Sequence, residues 1–222
     1  MSKPKIILFD IDSTLFNARN YLKLSFEKLS EKVNPVDKVG FNAILEECYE
    51  EMRHTVNFSP KALVALIIGK LKFDTGRAEE MENVFWEEIL LTSNIYPDVV
   101  STLEVLKKEN GIRLGIFSTG DLYTQLQKIK TLERFFINED IHIFPNKDIE
   151  FPKILSQYSE YDIYLIDDAT KVLDEAKRQK KPITTIWIVR DPLLRNHKQN
   201  LTFIPEWTIE TLDGVLPVIS SN

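Results

Sequence analysis

The segment Lys5-Ile6-Ile7-Leu8-Phe9-Asp10-Ile11-Asp12-Ser13-Thr14-Leu15 constrains the chain more than any other. Ile6 to Phe9 run apolar without alternation and stop at two aspartates one residue apart. A strand with one wet face alternates apolar and polar residues, whereas a strand covered on both faces has no need to. The run therefore predicts a central strand with helices above and below it. Side chains two apart on a strand share a side, so Asp10 and Asp12 start together at its carboxyl end. Two carboxylates there repel each other and lose hydration. They are tolerated only with a counter-cation or a special role.

The remaining composition allows such a core. Hydrophobic residues make up 43% and aromatics 10% of 222 residues, enough for one large domain or a core with a smaller insertion. The formal charge of −6, with no basic block, argues against nucleic acid and anionic membranes as partners. A small anion held by one or two local cations stays compatible. The single cysteine, Cys48, allows no intrachain disulfide and fits a reducing compartment. The first apolar run is too short, and meets charge too soon, for a signal segment or a membrane span. The expectation is a cytoplasmic protein; its oligomeric state does not follow from the sequence.

After Leu15 the period becomes helical. Leu22, Phe26, Leu29 and Val33 recur at steps of four, three and four, and Asn34-Pro35 ends that helix. Phe41, Leu45, Cys48 and Met52 repeat the pattern. Ser59-Pro60 reads as a cap with proline at the first position of a third helix reaching Leu71. Met81, Val84, Phe85 and Ile89 mark a fourth, ending near Thr92. Consecutive helices with no strand between them predict an all-α bundle over residues 16–94.

From there strands and helices alternate. Asp98 is the expected cap of a helix carrying Val99, Leu103 and Leu106, and Asn110-Gly111 ends it. Further strands are expected at 113–117, 141–144, 163–166 and 184–189, with helices at 122–132, 152–158 and 171–179 between them. Residues 190–202 read as polar and irregular, and Trp207 to Ile209 as a short extended piece before a final helix. This grammar predicts an α/β fold: a Rossmann-like parallel sheet with helices on both faces, built from 1–15 and 95–222 and interrupted by the helical insertion.

Ligands of an open parallel sheet gather outside the carboxyl ends of its strands. There the successive strands offer Asp10 and Asp12, then Ser118 and Thr119, then Lys147, then Asp167 and Asp168. Clustered carboxylate oxygens suit a hard divalent cation, most often Mg²⁺. A lysine, a hydroxyl and backbone N–H groups after Ser118 suit phosphate oxygens.

On these residues the chain resembles the haloacid dehalogenase-like hydrolases. Asp10-Ile11-Asp12-Ser13-Thr14-Leu15 is similar to the family's first motif, Ile116-Phe117-Ser118-Thr119-Gly120 to its second and Ile166-Asp167-Asp168 to its fourth. The likeness covers the whole chain, with residues 16–94 as a helical cap. It implies Asp10 as a nucleophile that forms an aspartyl-phosphate, and Asp12 as the acid and base. It implies Mg²⁺ held by the carboxylates of Asp10 and Asp167 and the main-chain carbonyl of Asp12, with Asp168 bound directly or through water. Ser118, with Thr119 and Gly120, would bind the phosphoryl group, and Lys147 would neutralise it. The implied activity is a Mg²⁺-dependent phosphatase acting on a small phosphorylated metabolite. A phosphomutase, a 2-haloacid dehalogenase and a non-catalytic binding protein are the alternatives on the same fold. Asp12 argues against the dehalogenases, which generally lack the second aspartate.

Departures from the family pattern matter at three positions. Lys147 and Lys153 compete for the third motif, and Lys147 is favoured because it follows a strand directly. Ile166 stands where many members have glycine. Val172 stands where a further acid often lies, which puts more weight on Asp168. His54, His142 and His197 have no ligand spacing and read as structural or exposed; Cys48 reads as core. Tyr49 and Trp86 are expected in core packing before the substrate cleft.

Overall fold

The computed structural model describes residues 3–53, 57–179, 181–191 and 204–220. His54, His197 and residues 192–202 of the polar stretch lie outside the described residues. Six strands, β1 (Lys5–Phe9), β2 (Ile112–Thr119), β3 (Ile141–Phe144), β4 (Asp162–Asp167), β5 (Ile183–Ile188) and β6 (Trp207–Ile209), form one sheet. Its order is β3-β2-β1-β4-β5-β6, and every pairing is parallel. The expected extended piece at Trp207 thus joins the sheet as its edge strand on β5.

The helices are α1 (Ala18–Val33), α2 (Lys38–Arg53), α3 (Pro60–Leu71), α4 (Ala78–Phe85), α5 (Glu88–Ser93), α6 (Val99–Lys108), α7 (Leu122–Ile129), α8 (Phe151–Gln157), α9 (Thr170–Lys177) and α10 (Val215–Ser220). Alternate residues of β1 enter different cores. Ile7 and Phe9 join Val99, Leu103 and Leu106 of α6 and Val215 and Val218 of α10. Ile6 and Leu8 join Phe151 and Ile154 of α8 and Val172 and Leu173 of α9. Both faces of β1 are therefore covered, as its unbroken apolar run requires. Each fully buried side chain of this kind contributes about 1.5–3 kcal/mol. No helix among the described residues is long and apolar enough to cross a membrane.

Helices α1 to α5 form the insertion between β1 and α6, and their core is continuous with the α6 face of the sheet. Helix α1 stops at Asn34, whose φ of 47° is left-handed, a conformation asparagine tolerates. Pro60 opens α3, but the Ser59 side chain accepts no cap hydrogen bond. The expected fourth helix is broken at Trp86-Glu87 into α4 and α5. The break resets the helical phase: Ile89 is exposed, and Leu90 and Leu91 carry the buried face. Cys48 is fully buried in the insertion core.

Asp98 does not cap α6 with its side chain. Its carboxylate accepts from Arg190 Nη1 at 2.7 and 2.9 Å and from the Leu212 N–H. Arg190 also donates to the Thr14 carbonyl at 2.9 and 3.2 Å and lies 4.1 Å from the centre of the Tyr96 ring. A buried guanidinium with one carboxylate in reach outcompetes a solvent-facing helix cap. The chain enters and leaves the insertion side by side. Asn17 N–H donates to the Asn94 carbonyl at 2.7 Å, and Tyr96 N–H to the Leu15 carbonyl at 3.1 Å. Phe16 bridges both Asp12 and Ile95.

Candidate active site

Parallel register carries the chemistry to one rim. Phe9 lies beside Ile116 of β2 and Ile166 of β4, so Asp10 and Asp167, one residue on, and Ser118, two residues on, meet at the carboxyl ends of the strands. The Asp10 N–H donates to the Ile166 carbonyl at 3.0 Å, which locks the junction. Ser118 Oγ donates to Asp10 Oδ1 at 3.0 Å. Lys147 Nζ donates to the same oxygen at 2.5 Å and to Asp167 Oδ2 at 2.6 Å. Asp10, Ser118, Lys147 and Asp167 are all buried. Of the two competing lysines the fold brings Lys147 here, because it begins a short 3₁₀ turn directly after β3. Lys153 stacks instead on Phe144, 5.3 Å from the ring centre.

One oxygen from each of Asp10, Asp167 and Asp168 lies within 4.8 Å of the others. An all-oxygen donor set with three negative charges and one buried ammonium fits a hard divalent cation. Burial, then repulsion from Asp167, pushes the Asp10 carboxyl up to about 7 even though Lys147 pulls it down. Burial, then Asp10 and Asp167, pushes Asp168 up to about 8. Burial alone would lower the Lys147 ammonium, but Asp10 and Asp167 outweigh it and hold it above its ordinary value. The lysine stays charged, and the acids are short of positive charge. A divalent cation would reverse that deficit.

The Asp12 carboxylate is not part of this trio. It turns toward α7, where Lys128 Nζ donates to its two oxygens at 2.7 and 2.8 Å and Gln125 Nε2 donates to Oδ2 at 2.9 Å. This leaves the main-chain carbonyl as what Asp12 could offer a metal. Neither Lys128 nor Gln125 was expected from the sequence. Helix α7 is inside-out: Thr124, Gln125 and Lys128 are buried, whereas Leu122, Tyr123 and Leu126 are exposed. That inversion is the signal that could have exposed them.

Thr119 and Gly120 shape the turn after β2. Gln125 donates to the Thr119 carbonyl at 2.8 Å, and Gly120 N–H is bonded to the Phe144 carbonyl at 2.9 Å. Gly120 has φ of +156°, and a Cβ there would lie 2.5 Å from Gln125 Nε2. A cavity of about 60 Å³ opens beside Asp12 and Lys128, walled by Tyr21, Leu22, Tyr49 and Phe58 of the insertion. Tyr49 packs against the core as expected, edge-on to Phe26 and Phe58, and also lines this cavity, while Trp86 packs edge-on against Tyr123 with ring centres 5.2 Å apart. Asn57 Nδ2 donates to the Pro145 carbonyl at 3.1 Å, a further contact between insertion and rim. A second opening, about 280 Å³, lies beside Asp168 between Arg19, Tyr96 and Arg190.

The sequence pattern of the haloacid dehalogenase-like hydrolases matches residues 4–151, more than half of the chain. The chain belongs to this family. Solved structures repeat its architecture end to end. A haloacid dehalogenase-like hydrolase of Burkholderia xenovorans superposes with a TM-score of 0.78 at 18% identity, covering 99% of this chain and 98% of its own. The hydrolase YfnB of Bacillus subtilis, solved with magnesium bound, gives 0.64 at 16% identity over 98% and 99%. A defluorinating L-2-haloacid dehalogenase gives 0.67 at 14% identity over 98% and 95%. At these identities the likeness is one of fold. No curated protein sequence matches the chain.

Proposed function

We infer that this hydrolase is a Mg²⁺-dependent phosphatase that cleaves a small phosphomonoester through an aspartyl-phosphate on Asp10. The observation that carries the reading is the division of labour between two aspartates. Asp10 sits with Ser118, Lys147 and two further acids, and Asp12 sits two residues on, turned away from them. A dehalogenase needs the nucleophile alone. A nucleophile within an acid trio, followed by a second carboxylate held on partners of its own, fits phosphoryl transfer.

Asp10 attacks phosphorus, the bond to the leaving oxygen breaks, and Asp12 supplies the proton that oxygen takes. Asp12 then accepts a proton from the water that hydrolyses the aspartyl-phosphate. Ser118 Oγ and the Lys147 ammonium hold the phosphoryl oxygens, and Lys147 also keeps Asp10 oriented. Mg²⁺ held by Asp10, Asp167 and the Asp12 carbonyl, with Asp168 direct or through water, would supply charge stabilisation in the transition state. Residues 16–94 act in this reading as the cap over an α/β core of 1–15 and 95–222, and exclude bulk water. The narrow aromatic cavity beside Asp12 supports a small, soluble substrate.

The test is hydrolysis of 4-nitrophenyl phosphate by the purified protein with Mg²⁺, with EDTA, and with 2-chloropropionate as a competing substrate class. Metal-dependent phosphate release is the expected result. Chloride release undiminished by EDTA, with no phosphate release, would replace the phosphatase with a dehalogenase.

A further inference from the structure

Lys128 is a buried ammonium outside the acid trio, and the phosphatase mechanism leaves it without a task. It sits three residues after Gln125 on the same face of α7. Its side chain is 4% exposed, and its one ion pair among the described residues is with Asp12. The rings of Phe16 and Phe58 lie 5.6 and 5.8 Å from the ammonium, so little but Asp12 balances its charge. Burying a lysine this way is costly unless its geometry is fixed by good partners. Gln125 is fixed as well. Its amide nitrogen faces two acceptors, Asp12 Oδ2 and the Thr119 carbonyl, so its orientation is unambiguous. Gly120 leaves room for that amide, since a Cβ there would collide with it. Sequence, turn and helix thus converge on the position of one carboxylate.

Resting on the phosphatase reading, we propose that Lys128, assisted by Gln125, is a positioning residue that aims Asp12 at the leaving-group oxygen. The two side chains engage both carboxylate oxygens from the α7 side, and the cavity walled by Tyr21, Tyr49 and Phe58 opens beside the carboxylate they hold. In this proposal the leaving group occupies that cavity. Its size and aromatic walls fit a small, largely apolar or flat leaving group. The ammonium also balances the charge that remains on Asp12 once the proton has moved to the departing oxygen.

A positioning role predicts a loss that depends on how badly the leaving oxygen needs its proton. Phenyl phosphate and 4-nitrophenyl phosphate share a shape and differ in that need. Measured as kcat/KM, which covers the steps through leaving-group departure, Lys128→Met lowers phenyl phosphate turnover about 100-fold and 4-nitrophenyl phosphate turnover less than about 10-fold. KM moves little for either ester. Gln125→Met shifts the ratio in the same direction by less, and Lys128→Arg restores most of it. Equal losses on both esters with Lys128→Met overturn the inference and leave the phosphatase reading intact. If circular dichroism shows Lys128→Met unfolded, Gln125→Met decides, and an unchanged ratio there overturns the inference. Wild-type protein that turns over neither ester with Mg²⁺ overturns the phosphatase reading, and the inference falls with it.

Discussion

The two rims of the sheet both bury carboxylate, and they treat it differently. At the amino rim Asp140, fully buried, precedes β3. Its oxygens accept from Arg113 at 2.6, 2.7 and 3.0 Å and from Tyr158 Oη at 2.8 Å. His142 Nε2 meets the same phenol at 2.7 Å, and Arg113 donates onward to Tyr161 at 3.1 Å. One acid has a guanidinium and a hydroxyl to itself. At the carboxyl rim three acids share one ammonium, and burial leaves two of them far above the ordinary carboxylate range. A buried charge satisfied within the chain fastens the fold. A buried charge left wanting marks a place for something from solution, in the proposed reading a cation and a phosphoryl group.

Variants at the two rims should separate these roles. The largest expected effect is at the carboxyl rim: Asp10→Asn lowers 4-nitrophenyl phosphate turnover by at least about 10⁴-fold while the metal-free protein melts no lower than wild type. Steady-state rates and a thermal melt check both halves. At the amino rim the pattern inverts. Arg113→Ala strands the fully buried Asp140 carboxylate and should cost about 3–5 kcal/mol in urea denaturation, because the buried partner of the pair is left without its cation.

Mg²⁺ comes next in size. At a hundred times its dissociation constant it should stabilise wild type by about 2.7 kcal/mol, and Asp167→Asn should lose most of that gain while Arg113→Ala keeps it. The metal-free protein should also respond to pH in a defined direction. Asp10 and Asp168 have folded pKa values of about 7 and 8, above the unfolded value, so the folded state holds more protons between the two. Their contribution to stability is full below about pH 4 and is lost as pH rises toward 8. Melting temperature against pH, with and without Asp168→Asn, reads this; a slope that the substitution leaves undiminished would place the titrating group elsewhere. The smallest effect belongs to the lysine the site does not use: Lys153→Ala should leave kcat/KM within about twofold of wild type, since it removes only a surface contact with Phe144.

Much of this was legible from residue order because strand ends are simple. An apolar run sets the strand, parallel register sets the rim, and whatever residue follows the run arrives there. Asp10, Ser118, Lys147 and Asp167 all obey that logic. Lys128 and Gln125 do not, since an amphipathic helix is read by turning its apolar residues inward. Helix α7 turns Leu122, Tyr123 and Leu126 outward because its inner face meets the Asp12 carboxylate, a partner 116 residues away from Lys128. A separation of 92 residues likewise hid Arg190, whose pairing with Asp98 took an aspartate that looked like a helix cap. The break at Trp86-Glu87 was hidden for a local reason: the apolar spacing runs on across it although the backbone does not.

Phe16 ties these observations together mechanically. It bridges the turn that carries Asp12 on one side and the returning chain at Ile95 on the other, and its carbonyl accepts the Ser13 N–H at 2.8 Å. The helical insertion is thus tied through the main chain to the turn that carries Asp12. If the insertion tilts to admit a molecule, the torque passes through Phe16 into the Asp12 turn. Access and proton delivery would then share one hinge coordinate, and stiffening the paired linkers would throttle both at once.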